Sequence, residues 1–82
     1  MNQTTRELKA ELEKSAALLR TLRDEVRVQL HLGGSDVKKE WSRLEPRLEA
    51  VLARAAKDVS DASRTAVVEL TDVIRKLRES LR

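Results

Sequence analysis

Five basic side chains of this 82-residue chain, Arg43, Arg47, Arg54, Lys57 and Arg64, follow one another at steps of three, four and seven. On a continuous helix those steps form one stripe, with Ala50 and Asp61 filling the intervening positions. Such a stripe suits two kinds of chemistry. Its cations can track the phosphates of nucleic acid or an anionic lipid surface, with affinity that falls steeply as salt rises. Alternatively, the side-chain stems cover an apolar seam while their heads pair with carboxylates of a neighbouring helix, such as Glu7, Glu11 or Glu25. The acids Glu45, Glu49, Asp58 and Asp61 are interspersed on the same segment and favour the second reading. The five residues stand as a candidate anion-binding stripe under the first.

The single histidine, His31, has no second histidine, cysteine or carboxylate pair at ligand spacing, so neither a metal centre nor acid–base chemistry is expected of it. It reads as a helix-terminal residue interacting with the last carbonyls, where its charged form suits the helix dipole. Gly33-Gly34 lacks the lysine and hydroxyl that follow in a phosphate-binding loop, and no serine sits in a nucleophile elbow. No catalytic, cofactor-binding or metal-ligating residue is assigned, and a non-enzymatic protein is expected. Trp41, the only aromatic residue, falls in line with Leu30 and Leu52 and reads as a core residue packing near a turn. Tryptophan is also enriched among interface anchors, which is the competing role.

These residues must be positioned by helices. A chain of this size supports one domain, residues 1–82, and buries only about 60% of the surface its unfolded chain exposes. With no cysteine, neither disulfides nor thiolate metal sites are available to staple it, and a reducing compartment is favoured. The apolar set is almost entirely Leu, Val and Ala, which suits a helix–helix seam, and self-association is the natural remaining source of buried area. The polar amino terminus and the lack of any long apolar run exclude a signal-peptide core and a transmembrane segment, so a cytoplasmic protein is expected. The 17 basic and 14 acidic residues give a formal charge of +3 with both signs heavily represented, which argues only weakly for nucleic acid.

Thr4 and Glu7 have capping-box spacing, and a first helix is expected over about residues 5–31, with Leu8, Leu12, Leu19, Leu22, Val26 and Leu30 as its stripe. Arg20 and Asp24 on it are placed to pair. A turn at 32–36 follows, in which Gly33 and Gly34 supply a left-handed helix ending and Ser35 or Asp36 caps the next helix. That helix is expected over about 37–81, bent near Pro46, because an interior proline costs roughly 3 kcal/mol. A start near Ser42 is the alternative there, since Ser42 and Glu45 also have capping-box spacing. The polar stretch from Lys57 to Ser63 permits a turn, but it contains neither Gly nor Pro, and continuation is preferred over it.

Apolar positions recur at intervals of eleven: Val26, Val37, Leu48, Val59, Leu70 and Leu81 form one series, and Leu8, Leu19, Leu30, Trp41, Leu52, Ser63 and Ile74 another. At about 3.67 residues per turn this favours straight or gently right-handed helix pairing. The phase is kept across Gly33 and Pro46, so Gly33, Gly34 and Asp36 also read as a hinge that can straighten. The repeat resembles the proline-punctuated eleven-residue repeats of apolipoprotein-type amphipathic helices, from which the single proline and the Ala-rich seam set it apart.

The expected architecture is therefore all-α: an antiparallel helical hairpin with a long second helix bent near Pro46, assembling into a helical bundle or coiled coil. A three-helix bundle with a turn near Ser60 and a continuous rod are the alternatives. A second helix of about 46 residues would be ~70 Å long against ~40 Å for the first, leaving an apolar overhang from Val59 to Leu81. That overhang predicts a homo-oligomer, a dimer or tetramer, joined along Leu19, Leu22, Val26, Leu30, Trp41, Leu44, Leu48, Val51, Val59, Leu70 and Leu77. The expected function is an oligomerisation or scaffold module mediating protein–protein interaction. The alternative is a small nucleic-acid-associated protein using the basic stripe.

Overall fold

The structure is a computed structural model that describes residues 2–81, and the side chains of residues 6–81. It is all-helical over the described residues: α1 (Asn2–Gln29), a short 3₁₀ turn (Leu30–Leu32), α2 (Ser35–Ala55) and α3 (Asp61–Ser80). No helix in it is long and apolar enough to cross a membrane, among the described residues.

α1 is a 28-residue helix with no Gly or Pro to interrupt it. It begins before the expected start at Thr5, and the Thr4 side chain lies outside the described residues. At its far end the chain tightens into the 3₁₀ turn, closed by the Gly33 amide donating to the Leu30 carbonyl at 3.1 Å. Both glycines are extended, Gly33 at φ −87°, ψ 156° and Gly34 at φ −76°, ψ 178°. The expected left-handed ending is thus corrected, since no described residue has a positive φ. Gly33 is needed for proximity instead. A Cβ there would lie 2.7 Å from Leu81 Cδ2 and 3.1 Å from Val37 Cβ, whereas one on Gly34 would meet nothing within 4 Å.

α2 starts from Gly34 with no side-chain cap, so Ser35 and Asp36 stand inside its first turn and do not cap it. Asp36 still places negative charge where the helix dipole favours it. Pro46 lies inside α2 without ending it, and the alternative start at Ser42 does not occur: Ser42 Oγ donates to the Lys38 carbonyl in mid-helix. The local cost is outweighed because Trp41, Leu44 and Leu48 from the same segment are buried, while Pro46 itself faces water.

The main correction falls at residues 56–60. The expected long second helix stops at Ala55, and α3 restarts from Ser60, whose Oγ accepts the Ser63 amide at 3.2 Å. A serine cap does here what glycine or proline was expected to signal. Ser63, the polar member of its eleven-residue series, is only 2% exposed because it belongs to this cap; its Oγ and that of Ser60 both donate to Asp58 Oδ2, at 3.3 and 3.0 Å.

The third helix closes the bundle. α1 and α3 run parallel, their register set by Arg64–Glu11 and Arg78–Glu25, both pairs 53 residues apart. α2 runs antiparallel to α1, with Arg23 meeting Glu49 and Arg27 meeting Glu45. The bundle is 48 × 19 × 15 Å, far short of a ~70 Å rod. One core holds Leu12, Ala16, Leu19, Leu22 and Val26 of α1, Trp41, Leu44, Leu48, Leu52 and Ala55 of α2, and Val67, Leu70, Ile74, Leu77 and Leu81 of α3 and its end. The apolar overhang inferred from a long second helix therefore does not exist.

Candidate functional site

Of the residues expected to join copies, Leu19, Leu22, Val26, Trp41, Leu44, Leu48, Leu70 and Leu77 are buried within the single chain. Leu30 and Val51 are partly buried against that core. Val59, in the second turn, is 37% exposed.

The basic stripe is divided by the same turn. Arg43, Arg47 and Arg54 share the outer face of α2, and Lys57 follows in the turn, all exposed. Arg64 is carried away onto α3, where it reaches Glu11 Oε2 at 3.4 Å and Asp61 Oδ1 at 3.7 Å. Arg54 Nε lies 3.6 Å from Asp58 Oδ2, one helical turn along. No carboxylate among the described residues comes within 4.0 Å of Arg43, Arg47 or Lys57. Arg47 also stands on the lip of a shallow groove of about 120 Å³ between α2 and α3, lined by Val51, Ala66, Glu69, Leu70 and Val73. Val73 is 38% exposed there. The result is a partly apolar trough with the unpaired guanidinium of Arg47 on its α2 side and one carboxylate, Glu69, on its α3 side, while Arg43, one turn before Arg47, stands beside Asp36, Lys39 and Glu40.

Four arginines, Arg23, Arg27, Arg64 and Arg78, pair across helices. Arg27 Nε donates to Glu45 Oε2 at 2.8 Å and its Nη2 to Glu49 Oε1 at 3.2 Å, while Arg23 Nη1 reaches the same Glu49 oxygen at 3.0 Å. The hydrogen bond that Arg27 donates to Glu45, with attraction from Glu45, Glu49 and Asp24 outweighing a desolvation effect, raises its guanidinium above its ordinary value. Asp24 joins this cluster through Arg23 at 3.1 Å, and not through Arg20 as its spacing suggested. Arg78 Nη1 bonds Glu25 Oε2 at 2.8 Å, though its Nε is buried without a partner. The α1–α2 cluster was missed in the sequence. Its signal was there as two i, i+4 pairs of opposite sign, Arg23/Arg27 and Glu45/Glu49, which antiparallel helices bring face to face.

Two larger grooves flank the first half of α1, and Leu12 lines both. One, about 390 Å³, runs along α3 with Glu11, Ser15, Arg64 and Val68 in its walls. The other, about 240 Å³, is floored by Ala16, Ala55, Ala56 and Val59 between Lys9 and Arg20. His31 sits in the 3₁₀ turn, exposed, with Nδ1 3.0 Å from the Val28 carbonyl. Asp36 is exposed in the first turn of α2, and the described residues hold no cluster of three or more metal-binding side chains. Compared with protein-family models, curated proteins and solved structures, the chain matches none of them.

Proposed function

We propose that the chain is a non-enzymatic helical interaction module, which holds an acidic amphipathic helix of a partner protein in the trough between α2 and α3. One observation carries this reading: Arg47 faces water without a carboxylate partner on the lip of a partly apolar groove, with Arg43 unpaired one turn before it on the same helix, whereas the cross-helix arginines Arg23, Arg27, Arg64 and Arg78 are all matched within the chain. A partner helix would set its apolar stripe against Val51, Ala66 and Val73 and its carboxylates against the arginine row, the helix-in-groove mode of recognition. Ala50, exposed between Arg47 and Arg54, leaves room for close approach. Glu69 on the opposite lip, with Glu40 and Asp36 farther along α2, favours a mixed-charge peptide over a uniform line of phosphates.

The test is fluorescence anisotropy with a labelled acidic amphipathic peptide and, separately, a short DNA duplex. Reversing both exposed charges, Arg43→Glu with Arg47→Glu, is expected to leave the helical signal unchanged and to weaken peptide binding by about tenfold or more. Equal peptide binding by the variant would refute the reading. Saturable duplex binding that falls steeply with salt, in the absence of peptide binding, would replace it with the nucleic-acid alternative.

A further inference from the structure

The second turn has the hydrogen bonding of a helix that has barely stopped. The Ala56 amide donates to the Leu52 carbonyl at 3.2 Å and the Asp58 amide to the Arg54 carbonyl at 2.9 Å, both four-residue helical steps beyond the last residue of α2. Ala56 has helical dihedrals, φ −68°, ψ −22°. Ser60, at the start of α3, is extended, at φ −102°, ψ 164°. The Ser63 amide, which in an unbroken helix would donate to the Val59 carbonyl, is taken instead by Ser60 Oγ. The local hydrogen bonds that close the turn are therefore those of the small polar group Asp58, Ser60 and Ser63. It contains no glycine or proline, and no left-handed residue stands in the way of straightening.

The sequence around it also suits the straight form. Ala55, Ala56 and Lys57 are good helix formers. Leu48, Val59, Leu70 and Leu81 keep their eleven-residue spacing through the turn, so a straightened helix carries the seams of α2 and α3 along one side.

We infer that this turn is a hinge through which two copies of the chain exchange α3. With residues 56–60 helical, α2 and α3 become one rod of about 46 residues, ~70 Å long. A lone chain in that form would expose Val67, Leu70, Ile74 and Leu77. The occupant that fits the vacated site between α1 and α2 is the same helix from a second copy, because that interface is already complementary in the closed chain. The exchange re-forms the core and places Arg64–Glu11 and Arg78–Glu25 between chains, giving up only the cap hydrogen bonds of the turn. The dimer's two-fold axis passes near the paired hinges, where Val59, 37% exposed in the closed form, meets its copy. The inference stands on the turn and is independent of the arginine row.

Cross-linking reads the exchange directly, because the chain has no cysteine of its own. In a Glu25→Cys, Arg78→Cys background, a short bismaleimide joins two positions within one chain in the closed form and between two chains in the exchanged dimer. Denaturing electrophoresis separates the products. Refolding this background at millimolar concentration is expected to give the interchain product. Adding Asp58→Ala and Ser60→Ala weakens only the closed form and is expected to raise the dimerisation constant by ~25-fold, about fivefold for each of two lost caps. Intrachain product alone from the refolded background would overturn the inference, even if the cap variant failed to fold. Interchain product in equal yield with and without the cap substitutions would overturn the assignment of the hinge to this turn.

Discussion

The two turns of the bundle both reverse the chain between packed helices but are held by opposite means. The first, at Leu30–Gly34, is set by packing: Leu81 Cδ2 and Val37 crowd the place a Gly33 Cβ would take, so that a side chain there must displace them. The second, at Ala56–Ser60, is fixed by a serine cap and the carboxylate of Asp58, with no comparable close approach involving a glycine. A turn closed by packing is coupled to the whole core, while one closed by a few partly buried hydrogen bonds is set by local chemistry. The contrast teaches that glycine here marks where helices come close, and that its absence does not mark where the chain runs straight.

The sharpest way to break the first turn is from the side that fills it. Leu81→Ala removes a side chain that is 2% exposed and opens a cavity beneath Gly33, with an expected loss of about 2–5 kcal/mol in chemical denaturation. Gly33→Ala attacks the same contact by overfilling it and is expected to cost about 1–3 kcal/mol. At the second turn, Ser60→Ala should cost about 1 kcal/mol, because the Ser63 amide loses its acceptor. If Ser60→Ala proved as damaging as Leu81→Ala, the distinction between the turns would collapse. The smallest effect belongs to Gly34→Ser. Nothing lies within 4 Å of a Cβ there, and a hydroxyl at this uncapped helix start should stabilise the fold by a few tenths of a kcal/mol.

Much of this was legible in the sequence, and for a physical reason. The i, i+3, i+4 spacing of Leu12, Leu19, Leu22 and Val26 records which face of α1 is buried, and Gly33-Gly34 marks the end of that helix. What periodicity could not record was the direction of the chain after Ala55. The eleven-residue phase is satisfied both by a straight helix and by one that folds back, so Val59 and Leu70 read the same either way. The decision is made by Ser60, a single cap, and by the burial gained when Val67, Ile74 and Leu77 close on α1 and α2. Pro46, expected inside the second helix, does lie inside α2: its local penalty is real, but Trp41 and Leu48 on either side are anchored in the core. The basic stripe is regular along one continuous helix, but the same turn divides it, leaving Arg43, Arg47 and Lys57 unmatched while Arg54 and Arg64 find carboxylates.

Trp41 gives the molecule a built-in optical reporter. It is the only aromatic residue and is 3% exposed, packed into the core by the second turn of α2. Global unfolding would carry its indole into water and shift the emission to the red. Exchange of α3 between copies would rebuild the same surroundings from another chain, so the mass would double while the emission stayed where it was. Fluorescence and hydrodynamic size, recorded on one sample, would thus separate a chain that comes apart from one that trades an arm.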